Sequence, residues 1–106
     1  MAWILLTLAG ALEVVWAFSM KQSYGFTKAG PTAVTILAMI ASVALLSLSM
    51  RTLPLGTAYT IWTGIGALGA FFLGILLLGE AATATRIIAA ALIVAGLVMM
   101  KISTPA

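Results

Sequence analysis

Apolar side chains fill this chain in four long blocks, each closed by a short polar or turn-forming stretch. The first block covers residues 3–20, is broken only by Thr7, Glu13 and Ser19, and ends at Lys21-Gln22-Ser23-Tyr24-Gly25. The second covers 32–50 and stops at Arg51-Thr52-Leu53-Pro54. The third covers about 55–78 and stops at Gly79-Glu80, and the fourth covers about 84–101. A helix crosses the hydrocarbon of a bilayer with about 20 apolar residues. Barrel strands would alternate apolar and polar positions instead, and these blocks do not. The pattern therefore predicts an all-α integral membrane protein with four transmembrane helices in one domain, residues 1–106. Pro31 and Pro54 fall where a first helical turn tolerates proline. The first block is read as a span and not a signal peptide, because it lacks a basic leading region and carries a carboxylate at its centre.

Composition removes most other classes. Of 106 residues, 64% are apolar and 7% charged, whereas a soluble domain carries about a quarter charged residues. Such a chain is too greasy for a soluble fold and far too apolar for disorder. There is no His, Cys or Asp. Common zinc, haem, iron–sulfur and thiol chemistry thus has no ligands, and neither a metal nor a cofactor is expected. Glu13 and Glu80 are the only acids, which leaves little for an enzyme. The net charge of +3 comes from scattered cations, so no nucleic-acid partner is expected.

Four spans place both termini on one side. Lys21, Lys28 and Arg86 then share one face, with Arg51, Lys101 and the terminal amine on the other. Orientation follows a clear Lys/Arg imbalance, and three against two is none. Insertion both ways up fits this balance.

Glu13 is the informative residue. An ionised side chain at mid-span costs at least about 2.5–3.5 kcal/mol, and such groups mark ion or substrate pathways by default. At 100° per residue, Ala9, Gly10, Trp16 and Ala17 fall on its face. A deeply placed Trp16 needs an acceptor for its indole N–H, and the carboxylate is the nearest obvious one. On the third span, Gly56, Tyr59, Trp62, Thr63, Gly66 and Ala70 share a face. Gly64, Gly66 and Gly69 serve either close helix approach or a bend. Thr35, Ser42 and Ser49 recur at seven-residue spacing on the second span. Two of these three hydroxyls are expected to bond a carbonyl one turn back. Ala89 and Gly96 form a small-residue seam on the fourth span, suited to a subunit contact or to one within the chain. Lys101 is placed as an interfacial anchor. Glu80, in a loop beside Gly79, reads as a solvated acid with no special role.

A carboxylate, aromatic faces and hydroxyls in a dry interior make a cation site. Four helices are too few to enclose a substrate and expose it alternately to either side. Carriers of that kind are commonly built from two inverted repeats, and this chain has no internal duplication. A second, antiparallel copy would supply one. The residues thus reach a dimeric carrier of small cations.

Three stretches then resemble a known family: Leu12-Glu13-Val14-Val15-Trp16-Ala17, Gly25-Phe26-Thr27, and Leu53-Pro54-Leu55-Gly56-Thr57-Ala58-Tyr59-Thr60-Ile61-Trp62-Thr63-Gly64-Ile65-Gly66. They resemble the small multidrug resistance family of four-helix bacterial exporters. Trp16, Ser42, Thr63-Gly64-Ile65-Gly66-Ala67 and Lys101 are similar to its guanidinium exporter subtype. The resemblance implies a dual-topology antiparallel homodimer in the bacterial inner membrane, exporting guanidinium in exchange for protons. It implies that Glu13 binds proton and substrate, that Trp16 and Ser42 hold Glu13 by hydrogen bonds, and that Tyr59 and Trp62 wall the site. Gly10 matches a position of close approach. The alternative is a broad exporter of quaternary ammonium and other lipophilic cations. A regulatory subunit of a larger membrane complex and a water-filled cation channel are the readings from other classes.

Overall fold

The computed structural model describes residues 1–104. Four helices follow in order: α1 (Ala2–Gln22), α2 (Ala29–Ser49), α3 (Leu55–Leu78) and α4 (Ala84–Ser103). At 1.5 Å per residue they are about 30–36 Å long, the thickness of a bilayer core. All four are long and apolar enough to cross a membrane. The chain forms a slab of 42 × 34 × 16 Å. Helix α1 lies between α2 and α3, and the backbone of α4 approaches only α3.

Helix ends follow local chemistry more than the apolar blocks do. Helix α2 begins at Ala29, ahead of its apolar block, so Pro31 sits in the first turn. A missing N–H costs nothing there, because the first N–H groups of a helix have no intrahelical partner. Pro54 caps α3 from outside in an extended conformation. The far end of α3 closes at Gly79, left-handed with φ 69°, and the N–H groups of Gly79 and Glu80 both reach the carbonyl of Gly74.

The α1–α2 connection is tight. Tyr24, Gly25 and Phe26 have φ of 48°, 73° and 67°, a run of left-handed residues that costs free energy at the two aromatics. Buried Ser23 holds it: its Oγ donates to the Met20 carbonyl at 2.7 Å and accepts the Phe26 N–H at 3.0 Å. The Lys28 ammonium lies 4.4 Å from the Tyr24 ring centroid.

Packing between helices runs through glycine. On α3, Gly66 and Gly69 receive the side chains of Glu13 and Val14 from α1, and Gly64 receives Leu97 from α4. In return Gly10 of α1 receives Ile65. Close approach is what these glycines provide, and α3 runs through them as one continuous helix. Gly96 is different: nothing from the rest of the chain lies within 4 Å of a Cβ placed there. The small-residue seam of α4 therefore has no partner at Gly96 within the described chain.

Helix α4 is held mostly at its ends. Thr57 and Thr104 share a hydroxyl–hydroxyl bond of 3.0 Å, and the Lys101 ammonium stands 4.9 Å from the Trp3 ring centroid. Ala90 is its one buried residue among those described.

Gly10→Ala drives a methyl into Ile65 and is expected to destabilise the fold by about 1–3 kcal/mol. Gly56→Ala, in open space on a helix, is expected to stabilise it by up to about 1 kcal/mol. Detergent-unfolding midpoints followed by tryptophan fluorescence check both signs.

Candidate functional site

Glu13 sits mid-way along α1, half-buried, with its carboxyl group against the backbone of Gly66. Any side chain at Gly66 would occupy the space of the Glu13 carboxyl, so this glycine makes the seat. Among the described residues, Glu13 Oε1 is buried with no hydrogen-bond partner. The indole Nε1 of Trp16, one turn on, is buried and unpartnered as well. A buried polar group left without a partner costs about 1–3 kcal/mol, more if charged. An orphaned acceptor and an orphaned donor on neighbouring turns of one helix form a polar spot that a ligand or proton can satisfy.

Beside it runs a hydrogen-bond chain through three helices. The indole N–H of Trp62 on α3 donates to Ser42 Oγ on α2 at 3.0 Å. Ser42 in turn donates to the carbonyl of Ala9 on α1 at 2.6 Å. Ala9, Ser42 and Trp62 are all buried. Ala9 lies one turn before Glu13, so its carbonyl is also the helical acceptor for the Glu13 N–H. The chain thus fixes the turn that carries the carboxylate. In a low-dielectric interior such a network is stiff when fully satisfied.

This arrangement corrects one expectation. Ser42 and Trp16 do not bond Glu13 here; the Ser42 hydroxyl spends its donor on Ala9 and accepts from Trp62. The physical reason is the rotation of α2, which presents Ser42 to the backbone of α1, where a carbonyl lies in reach. The flanking hydroxyls behave as expected. Thr35 donates to the Pro31 carbonyl and Ser49 to that of Leu46, each within its own helix.

The remaining predicted residues divide. Tyr59 packs on Trp62, with ring centroids 5.6 Å apart and planes inclined by 48°. Its own side is half-exposed, on a groove of 480 Å³ between α3 and α4 that Thr63, Gly64 and Gly96 also line. Gly10 is taken up by Ile65. Trp62 gives its polar tip to Ser42 and is 9% exposed. The seat at Gly66 was visible in the sequence only as a bare strip; what fills it depends on the register of α1 against α3. Glu80 is not merely a solvated loop acid either. It folds back on Gly74 and pairs with Arg86 at 3.6 Å. Among the described residues no group of His, Cys, Asp or Glu is placed to hold a metal ion.

Ser42→Ala leaves the Trp62 indole N–H buried without an acceptor and is expected to cost about 1–3 kcal/mol. The Trp62 indole resonance in a ¹H–¹⁵N spectrum should move sharply, while that of Trp3 should stay in place.

Comparison with known proteins agrees with this architecture. The family model described as Small Multidrug Resistance protein matches residues 1–93. A protein of Citrobacter freundii named guanidinium exporter is 58% identical over 104 residues, covering 98% of this chain and 99% of its own. A Salmonella typhimurium protein of the same name is 56% identical over 103 residues, covering 97% and 98%. One from Yersinia pseudotuberculosis, again so named, is 52% identical over 104 residues, covering 98% and 100%. With four membrane-length helices and a family match over most of its length, this multi-pass membrane protein belongs to the Small Multidrug Resistance family.

Proposed function

We propose that this chain exports guanidinium and other small planar guanidinyl cations across the bacterial inner membrane in exchange for protons, with proton and cation competing for Glu13. The observation that carries the reading is the Glu13 carboxyl seated on Gly66, its Oε1 buried and unpartnered. The names of the three relatives supply the cation. Its chemistry fits. A guanidinium group does not lose its proton at physiological pH, so it cannot diffuse out neutral. Its planar fork pairs bidentately with a carboxylate, which a tetraalkylammonium ion cannot do. A carboxylate on a turn fixed from behind by Ser42 and Trp62 suits a small planar partner. In this reading Trp16, one turn from Glu13, lines the site, Tyr59 and Trp62 form its aromatic walls, and Gly10 sets the close approach of α3.

The working unit is an antiparallel, dual-topology homodimer. A slab 16 Å thick cannot surround a substrate. The outer face of α4 is apolar and exposed, with Leu92 and Met99 at 68% and 69%. The near-balanced Lys/Arg distribution permits either orientation. A second copy turned over supplies the inverted repeat that alternating access uses.

Purified protein in liposomes, given guanidinium under a pH gradient, tests the exchange. Only the ionised carboxylate offers charge to the cation, so acid must weaken binding. On the acid side of the Glu13 titration the apparent affinity is expected to fall about tenfold per pH unit for one displaced proton, and more steeply for two. Glu13→Gln should abolish exchange together with binding at the Glu13 seat. Equal transport of tetramethylammonium, which has no N–H, would favour the broad exporter instead.

Orientation is tested separately. Two or three Lys added to one face should trap a single orientation and abolish transport, and co-expression of oppositely biased chains should restore it. Full transport from one trapped orientation would exclude the antiparallel dimer.

A further inference from the structure

Both acids of the chain rest on glycines of α3, Glu13 on Gly66 and Glu80 on Gly74. The two glycines are eight residues apart, about 12 Å along the helix and about 80° around it. A cavity of 310 Å³ opens around Gly74 on the α1–α3 seam, lined by Ala17, Lys21, Ala70, Phe71, Glu80 and Arg86 among others. Ala17 is one turn beyond Glu13, and Ala70 is one turn beyond Gly66. The cavity therefore starts about one helical turn beyond the Glu13 seat.

Inside it a guanidinium is already held between a carboxylate and a ring. Arg86 Nη2 lies 3.6 Å from Glu80 Oε1, and its Cζ lies 5.4 Å from the centroid of Phe71. A carboxylate for the fork and an aromatic face for the charge are the partners a free guanidinium would seek.

We propose that this cavity is a second, outer binding site for small guanidinyl cations, with the Arg86 head group as its built-in competitor. The proposal rests on the guanidinium reading of Glu13 for its choice of ligand. Three features make the competitor displaceable. At 3.6 Å the Arg86–Glu80 contact is too long for a closed bidentate pair. Both side chains are near 40% exposed, where an ion pair is weak and screened. The cavity has the volume of about ten waters, ample for a cation of four heavy atoms. Lys21 sets the balance. With Arg86 in place the cavity opposes one carboxylate to two cations, so a third enters only as the Arg86 head group swings out. Occupancy is thereby kept transient, and a cation bound at Glu80 lies two helical turns from Glu13 instead of being trapped at the mouth.

Glu13→Gln leaves Glu80 as the sole glutamate, so a ¹³C label on the glutamate carboxyl reports this site alone. The probe is guanidinium chloride, titrated at constant ionic strength into the full chain in lipid nanodiscs. Glu13→Gln should show a saturable Glu80 shift. Glu13→Gln/Arg86→Ala should half-saturate at about tenfold lower guanidinium, since a tethered competitor has been removed. Tetramethylammonium should produce no saturable shift in either. Absence of saturation in both variants, or an equal response to tetramethylammonium, overturns the outer site. A separate titration of the labelled Glu13 carboxyl in Glu80→Gln tests the inner reading. Failure there with the Glu80 response intact overturns the inner assignment and not the outer one.

Discussion

The structure depends on the absence of Cβ atoms on two faces of α3, at Gly66 and Gly69 toward α1 and at Gly64 toward α4. In water, two helices can be driven together by burying apolar side chains, but lipid tails are as apolar as leucine and that force is lost. What remains is close contact and hydrogen bonding, and both need the backbones to approach. Gly64, Gly66 and Gly69 permit it on α3, and Gly10 permits it on α1. The Gly66 and Gly69 face that lets α1 dock also makes the hollow in which the Glu13 carboxyl lies. Fold and site thus share one steric condition, and a single methyl at Gly66 would disturb both.

Close approach then brings a second effect within reach. Once α1, α2 and α3 are this near, Ser42 spans the gap between Trp62 and the carbonyl of Ala9. A serine hydroxyl has one proton to give and lone pairs to receive with, so it joins two helices without leaving a polar group unmet. This network is satisfied; the neighbouring Glu13 Oε1 and Trp16 Nε1 are not. The paired groups hold the frame, and in the proposed reading the open pair at Glu13 and Trp16 is what a proton or a ligand meets.

Helix α4 stands apart from that frame. It touches α3 through Leu97 in the Gly64 notch and is tied at its ends by Thr104 on Thr57, Lys101 on Trp3, and Arg86 on Glu80 and Phe71. Three of these ties use a cation or a hydroxyl near a helix end, where water and headgroups compete for them. The middle of α4 has an apolar exposed face. A helix so weakly bound to its own chain is free to bind lipid or another protein there.

Much of this was legible in the sequence. Four membrane-length helices follow from apolar runs alone, because a bilayer demands about 20 apolar residues per crossing and no edge of backbone left bare. The cost of a mid-span charge singled out Glu13, and helical spacing grouped Tyr59 with Trp62. The intrahelical bonds of Thr35 and Ser49 follow from the local geometry of hydroxyls in helices. What one helix shows another was not legible. Ser42 has the same spacing and chemistry as its two neighbours, yet only the rotation of α2 against α1 turns its proton to Ala9 and not to Glu13. Glu80 looked like a free loop acid until the turn at Gly79 folded it onto Gly74 beside Arg86. Periodicity fixes which residues share a face of one helix. The register and rotation between helices are set by which side chains fit which glycine seats, and that is decided only when the chain packs in three dimensions.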